Sequence, residues 1–235
     1  MIIGINGKIG SGKDTIGKIA QCLINHPKVT NKDLLWMIEN DVVAEEYSKC
    51  EIKKFAGKLK QIASLLTGID IEDFEDQEFK KSHLGSEWGT VRSNPLNAVP
   101  VFEDVQFNEL MSVREFLQKL GTEAMREGLH TNVWVNALFA DYKAIERIPE
   151  KRMSIMPNWI ITDMRFPNEM DAVVKRGGLT IKVIRPVKKS KTTPRLHPSE
   201  TSLDKAKFDY EIINDKSIDD LIKKVREILI TEKII

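Results

Sequence analysis

The sequence predicts an α/β fold with a parallel five-stranded sheet flanked by helices on both faces. Two observations carry that expectation. Short apolar runs alternate with stretches of helical period along most of the 235 residues, the order that builds a parallel sheet. The first apolar run, residues 2–5, leads into Gly7-Lys8-Ile9-Gly10-Ser11-Gly12-Lys13-Asp14-Thr15, a glycine-rich turn that opens a helix.

Taken in order, residues 2–5 form the first strand. Over 14–23, Ile16, Ile19, Ala20 and Leu23 share one helix face, and Asn25-His26-Pro27 ends the helix. Residues 28–50 read as an insertion in which 34–38 is strand or helix and 41–48 is helical. A second strand is expected at 51–55 and a helix at 56–66, stopped by Gly68. Asp70, Glu72, Asp73, Glu75, Asp76 and Glu78 then read as a solvated surface turn, and 82–108 as a loop or small hairpin. Ser112-Val113-Arg114-Glu115 is a capping box opening a helix faced by Phe116, Leu117 and Leu120. Gly121-Thr122 interrupts that helix and 123–127 resumes it. A glycine in mid-helix costs about 1 kcal/mol relative to alanine, so something approaches the backbone closely there. Residues 131–148 read as one further helix and 150–157 as a polar linker. Strands are expected at 158–163, 179–184 and 208–213, with a helix at 168–176. Ser217 caps a last helix carrying Leu221, Ile222, Val225, Ile228 and Leu229 in 3.6-residue register. The organisation expected is one domain over 1–235, with a core of 1–27, 51–68, 158–184 and 205–235.

Composition narrows the class. Hydrophobic residues make up 41% and charged residues 30%, as in a globular chain. A net charge of +1 gives no global case for nucleic acid or membrane as partner. Cys22 and Cys50 lack metal-ligand spacing and fit a reducing cytosol, with Cys22 a small core residue. The N-terminus runs straight into a strand without a basic leader, and no apolar run approaches bilayer length, so a cytoplasmic protein is expected.

The opening turn has the form G-x-x-x-x-G-K. Gly7, Gly10 and Gly12 let the backbone take positive φ and come close to a ligand. Successive N–H groups and the helix N-terminus then favour an anion, and Lys13 would reach the β- and γ-phosphates of a nucleoside triphosphate. Asp14 stands where Ser or Thr usually ligates magnesium, and Thr15 is the next hydroxyl along. Asp163, at the C-terminal end of an apolar strand, is placed to hold magnesium, to bind substrate, or to cap the helix after it. Arg165 is a candidate phosphate clamp, since phosphoryl transfer asks mainly for alignment and neutralised charge. Residues 182–195 carry Lys182, Arg185, Lys188, Lys189, Lys191 and Arg195 with no acid among them, a solvated loop or a lid over the triphosphate. In the lid reading Arg185 and Arg195 are its contributors, with His197 and Glu200 as anchors at its return; His197 is not read as a general base, since an acceptor phosphate is already ionised. In 118–126, Gln118 is able to read a base edge, and Thr122 and Arg126 to hold a monophosphate, unless the stretch is a plain core helix pair. Trp134 either stacks on a base or braces that helix.

Five segments resemble the deoxynucleoside monophosphate kinases encoded by bacteriophages. They are I-G-I-N-G-K-I-G-S-G-K-D-T (3–15), F-A-G-K-L-K (55–60), L-Q-K-L-G-T-E-A-M-R (117–126) with Trp134-Val135, I-I-T-D-M-R-F-P-N-E (160–169) and H-P-S-E (197–200). The stretch 28–50 departs from the family pattern. The resemblance implies a P-loop kinase fold with monophosphate-binding and lid insertions, over about 69–150 and 185–200. It implies transfer of the γ-phosphoryl group of ATP, with magnesium, to a deoxynucleoside monophosphate. Gly10, Ser11, Gly12, Lys13, Asp14, Thr15, Arg185 and Arg195 would then bind ATP. Phe55, Lys60, Gln118, Gly121, Thr122, Arg126, Trp134 and Asp163 would bind the acceptor. Thr15 and Asp163 would hold the metal, and Lys13, Asp163 and Arg165 would serve the transfer. A homodimer is an option that related kinases often take, and a phage-encoded protein would work in the host cytoplasm. The alternatives are a P-loop kinase for another phosphorylated acceptor and a nucleotide-dependent switch protein.

Overall fold

The computed structural model describes residues 1–40, 42, 48–91, 107–148, 153–186 and 201–235. The first apolar run is strand β1 (Ile2–Gly7). Its pleat sends Ile3 and Ile5 into one core, while Gly4 faces Met164 and Val173 on the other side. Helix α1 (Lys13–Asn25) buries Ile16, Ile19, Ala20, Cys22 and Leu23, the face its period prescribes. The ambiguous stretch at 34–38 is helical. It lies in α2 (Asn31–Glu39), where Thr30 accepts the Asp33 N–H at 3.2 Å and Leu34 is buried. The helix expected over 41–48 falls mostly outside the described residues.

Strand β2 (Glu51–Lys53) is shorter than the sequence suggests. Phe55 does not end it but opens α3 (Phe55–Thr67), because its N–H finds the Asp163 carboxylate at 2.8 Å. Gly68, at φ 73°, stops α3 as expected. The acidic run folds into short 3-10 turns at Asp73–Glu75 and Phe79–Lys81 and is not simply solvated. Phe74 is fully buried there, and Glu75 pairs with the buried Lys60. A third 3-10 turn, Ser86–Trp88, precedes β3 (Thr90–Val91), which pairs antiparallel with β4 (Phe107–Glu109).

Ser112 caps α4 (Val113–Gln118) through the Glu115 N–H. The break expected at Gly121 does not occur: Lys119–Glu127 continues as a π-helix. Helix α5 covers only Val133–Phe139, not 131–148. Its end tightens into i→i+3 bonds, Asp141 to Leu138 and Tyr142 to Phe139, and Tyr142 then packs edge-on against Trp159 at 4.7 Å. The chain leaves the helical path there. The residues expected as helix end and polar linker form instead an antiparallel ribbon, β5 (Ile145–Ile148) with β6 (Met153–Ile155).

Strand β7 (Trp159–Ile161), helix α6 (Pro167–Val174), strand β8 (Leu179–Ile184), strand β9 (Tyr210–Ile213) and helix α7 (Ile218–Thr231) complete the chain. The main sheet has the order β2-β7-β1-β8-β9 and every pair in it is parallel, as predicted. On one face, side chains of α1 and α7 join Ile3, Ile5, Ile160, Ile181, Val183 and Ile212 in the main core. On the other, Val173 of α6 packs beside Gly4.

The contacts divide the chain into two compact units. One is Met1–Phe55 with Val135–Ile235, which holds the main sheet; the other is Ala56–Trp134. The second has its own small core of Ala63, Phe74, Leu84, Val113 and Phe116, against which Trp88 stands edge-on to Phe116 at 4.9 Å.

Candidate active site

In a parallel sheet, ligands settle at the carboxyl ends of strands where neighbouring strands send their helices to opposite faces. Here that point lies between β1, whose helix α1 covers one face, and β7, whose helix α6 covers the other. The turn after β1 and the residues after β7 supply most of the charged groups gathered there.

The turn is shaped by two glycines with positive φ, Gly10 at 76° and Gly12 at 92°. Gly7 is not one of them; it is the last residue of β1, and its missing side chain makes room for that of Ser11. At Gly12 a Cβ would lie 2.5 Å from Asn214 Nδ2, which donates to the Ser11 carbonyl at 2.8 Å. Asn214 follows β9 and thus clamps the turn from the far side. No side chain caps α1, so its leading N–H groups stay open to an anion. The Ser11 hydroxyl is buried and has no hydrogen-bond partner among the described residues. An orphaned donor in such a place costs free energy that a phosphate oxygen would recover. Arg185, just beyond β8, donates to the Gly10 carbonyl at 3.3 Å, which puts one of the two predicted lid arginines against the turn. Arg195, His197, Glu200 and the lid lysines 188, 189 and 191 lie outside the described residues. Lys182 is on β8, where it donates to the Asp204 carbonyl at 2.9 Å.

Asp14 sits in the first turn of α1. Its carboxylate accepts the Thr162 hydroxyl at 2.9 Å and faces Lys13 Nζ at 3.4 Å and Lys54 Nζ at 4.0 Å. Partial burial works to raise its pKa, but the Lys13 charge, the Thr162 hydrogen bond and Lys54 outweigh it and hold the carboxyl below its ordinary range. Asp14 is therefore an anion pinned beside the lysine that the motif assigns to phosphate. Thr15 is half-buried in the same helical turn.

Asp163 does not cap α6. Its Oδ1 accepts the Phe55 N–H, so the acid at the end of β7 tethers the start of α3. The cap position of α6 belongs to Phe166, and Glu169 reaches back to accept the N–H groups of Arg165 at 2.7 Å and Phe166 at 3.1 Å. Glu169 is only 2% exposed, and its grip fixes the backbone from which Arg165 projects. Phe55 is buried edge-on to Phe139, with ring centroids 6.2 Å apart.

Of the predicted acceptor residues, the second unit holds Lys60 on α3, Gln118 at the end of α4, Trp134 on α5, and Gly121, Thr122 and Arg126 on the π-helix. Such wide helical turns are rare and recur at functional sites. Gly121 explains itself. A side chain there would meet Leu59 Cδ2 at 2.9 Å, and its carbonyl receives the Trp134 indole N–H at 2.8 Å. Of the two readings of Trp134, the structure shows the brace: the ring is buried and its one donor is used on the helix. Thr122 is half-buried, Arg126 is buried, and Gln118 is exposed at the end of α4. Lys60 is buried and engaged by Glu75.

Sequence reasoning missed Lys54, Thr162, Glu169 and Asn214. Two of them had a signal. Phe166 and Glu169 have the spacing of a cap and its third helical residue, and Asn214 directly follows a strand on the ligand-bearing edge of the sheet.

A parallel sheet with this turn between β1 and α1 makes the molecule a P-loop protein of the kinase type. The deoxynucleotide monophosphate kinase family matches residues 79–225, more than half of the chain, and the protein belongs to that family. It is 30% identical over 154 residues to the deoxynucleotide monophosphate kinase of Enterobacteria phage T4, a match spanning 58% of this chain and 60% of the relative. It is 22% identical to the deoxynucleoside-5'-monophosphate kinase of Escherichia phage T5, over 91% of this chain and 89% of the relative. No helix among the described residues is long and apolar enough to cross a membrane.

Proposed function

We propose that this protein transfers the γ-phosphoryl group of ATP to the 5′-phosphate of a deoxynucleoside monophosphate, releasing ADP and the deoxynucleoside diphosphate. The observation that carries the donor half is the cradle at Gly10, Ser11 and Gly12, with its orphaned Ser11 hydroxyl and open helix N-terminus beside Lys13. Family membership supports the acceptor half.

In this reading the turn orients the triphosphate and Lys13 leaves Asp14 to neutralise β/γ oxygens. Arg165, held by Glu169, approaches the phosphoryl oxygens, and Arg185 follows the turn from the β8 side. Thr122, Arg126 and Gln118 receive the monophosphate, with Gln118 as the exposed group able to read a base edge. Lys60 and Gly121 shape that region, Trp134 braces it through the Gly121 carbonyl, and Phe55 is the acceptor residue assigned at the start of α3. Residues 185–200 act as a lid whose Arg195 closes on the donor, excluding water so that the phosphoryl group reaches the nucleotide.

Magnesium fits the donors on hand. The described residues contain no cluster of three or more acidic, histidine or cysteine ligands. Mg²⁺ commonly takes one or two protein oxygens and completes its shell with phosphate and water. The Thr15 hydroxyl and the Asp163 carboxylate are the protein oxygens we assign to it. Bound there, it would supply charge neutralisation for the triphosphate. ATP and deoxynucleoside monophosphates are then its partners, in the cytoplasm of a host cell if the protein is virally encoded, with a homodimer open to test by sedimentation.

A coupled ADP-release assay with ATP and each of the four common deoxynucleoside monophosphates tests the proposal. Stimulation by at least one is expected, and Lys13→Ala lowers it by about 10²-fold or more with the fold intact, the scale for losing one charge-stabilising donor. ADP release that no monophosphate stimulates would refute the acceptor assignment. A Lys13→Ala enzyme with normal kinetics would refute the role of Lys13.

A further inference from the structure

We propose that Lys54 is the counter-cation of Asp14 and so a positioning residue for triphosphate binding: it neutralises that carboxylate when Lys13 moves onto the phosphates. The inference rests on the reading of the turn after β1 as a triphosphate cradle.

The difficulty it resolves is electrostatic. Asp14 adjoins the lysine of the motif, and its carboxylate is more than half exposed. A bare anion there would repel a triphosphate bearing several negative charges. Asp14 is also not able to swing away, because the Thr162 hydroxyl holds it at 2.9 Å from the end of β7. In the structure two ammonium groups converge on it, Lys13 at 3.4 Å and Lys54 at 4.0 Å. Lys13 is spent on the nucleotide once it binds. Lys54 is the cation that stays with Asp14.

The placement of Lys54 supports this. It is the first residue after β2, and β2 lies beside β7, whose C-terminal end carries Thr162. The next N–H, of Phe55, is fastened to Asp163 at 2.8 Å, so the backbone bearing Lys54 is fixed relative to the Asp14–Thr162 pair. Its neighbour Lys53 is directed elsewhere, to Glu51 and over the Trp159 ring at 5.3 Å. The Lys54 side chain is only one-third exposed, which favours a persistent pairing over a freely solvated one.

The test is a double-mutant cycle read by binding rather than turnover. Affinity for an unhydrolysable ATP analogue is measured by calorimetry, without acceptor, for wild type, Lys54→Ala, Asp14→Asn and the double variant. Lys54→Ala is expected to weaken binding about tenfold, the scale of one unscreened charge in a partly wet site. Asp14→Asn keeps an oxygen for Thr162 but removes the charge that Lys54 answers, so it supplies the background against which the Lys54→Ala loss is read. In its background Lys54→Ala should cost less than about twofold, and Lys54→Arg alone should bind like wild type. Equal losses in both backgrounds would overturn the proposal, since Lys54 would then act directly on the ligand. No loss in Lys54→Ala would overturn it too. Circular dichroism melts of each variant separate either result from unfolding, with Lys54→Gln as the replacement if the alanine variant does not fold. If wild type does not bind the analogue at all, the cradle reading itself fails. If it binds but no monophosphate stimulates ADP release, only the acceptor assignment fails.

Discussion

Replacing Trp134 by phenylalanine isolates the brace on the π-helix. The indole N–H donates to the Gly121 carbonyl at 2.8 Å, and both residues are buried. Phenylalanine keeps an aromatic ring but removes the donor. A buried acceptor left unsatisfied costs about 1–3 kcal/mol, and trimming the ring adds about 1–2 kcal/mol of lost burial and cavity. The expected destabilisation is therefore about 2–5 kcal/mol, a fall in Tm on the order of 10 °C for a chain of this length. The functional consequence follows from the acceptor role proposed for Thr122 and Arg126 on the π-helix. Thr122 and Arg126 lose their fixed backbone, so KM for the monophosphate should rise about tenfold while affinity for an ATP analogue stays within about twofold. Thermal melting and steady-state kinetics with each substrate varied in turn read both quantities. An unchanged Tm with a raised acceptor KM would refute the brace and restore base stacking as the role of the ring. A raised KM for ATP of the same size would refute the assignment of the π-helix to the acceptor.

Three further outcomes follow. Gly12→Ala forces an L residue to φ 92° at about 1–2 kcal/mol and drives its Cβ against Asn214; more than tenfold weaker binding of an ATP analogue is expected by calorimetry, and unchanged binding would contradict the clamp. Glu169→Ala strips the acceptor from the Arg165 and Phe166 N–H groups, and urea unfolding should show a loss of about 2–4 kcal/mol, with Glu169→Gln milder. Burial pushes the Cys22 thiol up to about 11 and, aided by Cys22 and Glu51, the Cys50 thiol up to about 12. Neither should react with Ellman's reagent at pH 8 until urea is added, and rapid labelling of the native protein would contradict their burial.

What the sequence disclosed depended on how local the cause was. The first strand, its turn, α1, β8 and α7 follow from apolar runs and from a 3.6-residue period, which neighbours in the chain specify by themselves. Residues 131–148 were misread because Leu138, Phe139 and Tyr142 do continue a helical period. What ends the helix is Trp159, distant in sequence, drawing Tyr142 against it. The hydrogen bonds of Asp163 to Phe55, Asn214 to Ser11 and Trp134 to Gly121 likewise join residues that no spacing rule connects. The residues we propose for the transfer, Lys13, Asp163 and Arg165, stand out in the sequence through the glycine-rich turn and the end of an apolar strand. Among the groups that hold the site, Glu169 and Asn214 had a local signal, whereas Lys54 and Thr162 did not, because topology rather than spacing brings them to Asp14.

The π-helix at Lys119–Glu127 has a consequence for how this protein is able to vary. Each helical residue turns the chain by about 100°, so the wide turn stores one extra step of rotation between α4 and Trp134. Losing a single residue there would return the segment to ordinary α-helical winding and turn the residues from Arg126 to Trp134 by about that angle. Arg126 and the indole that now meets Gly121 would leave their places together. Point substitutions within the segment are a matter of degree, whereas a change in its length has no intermediate, and relatives that share this helical geometry are expected to share its residue count.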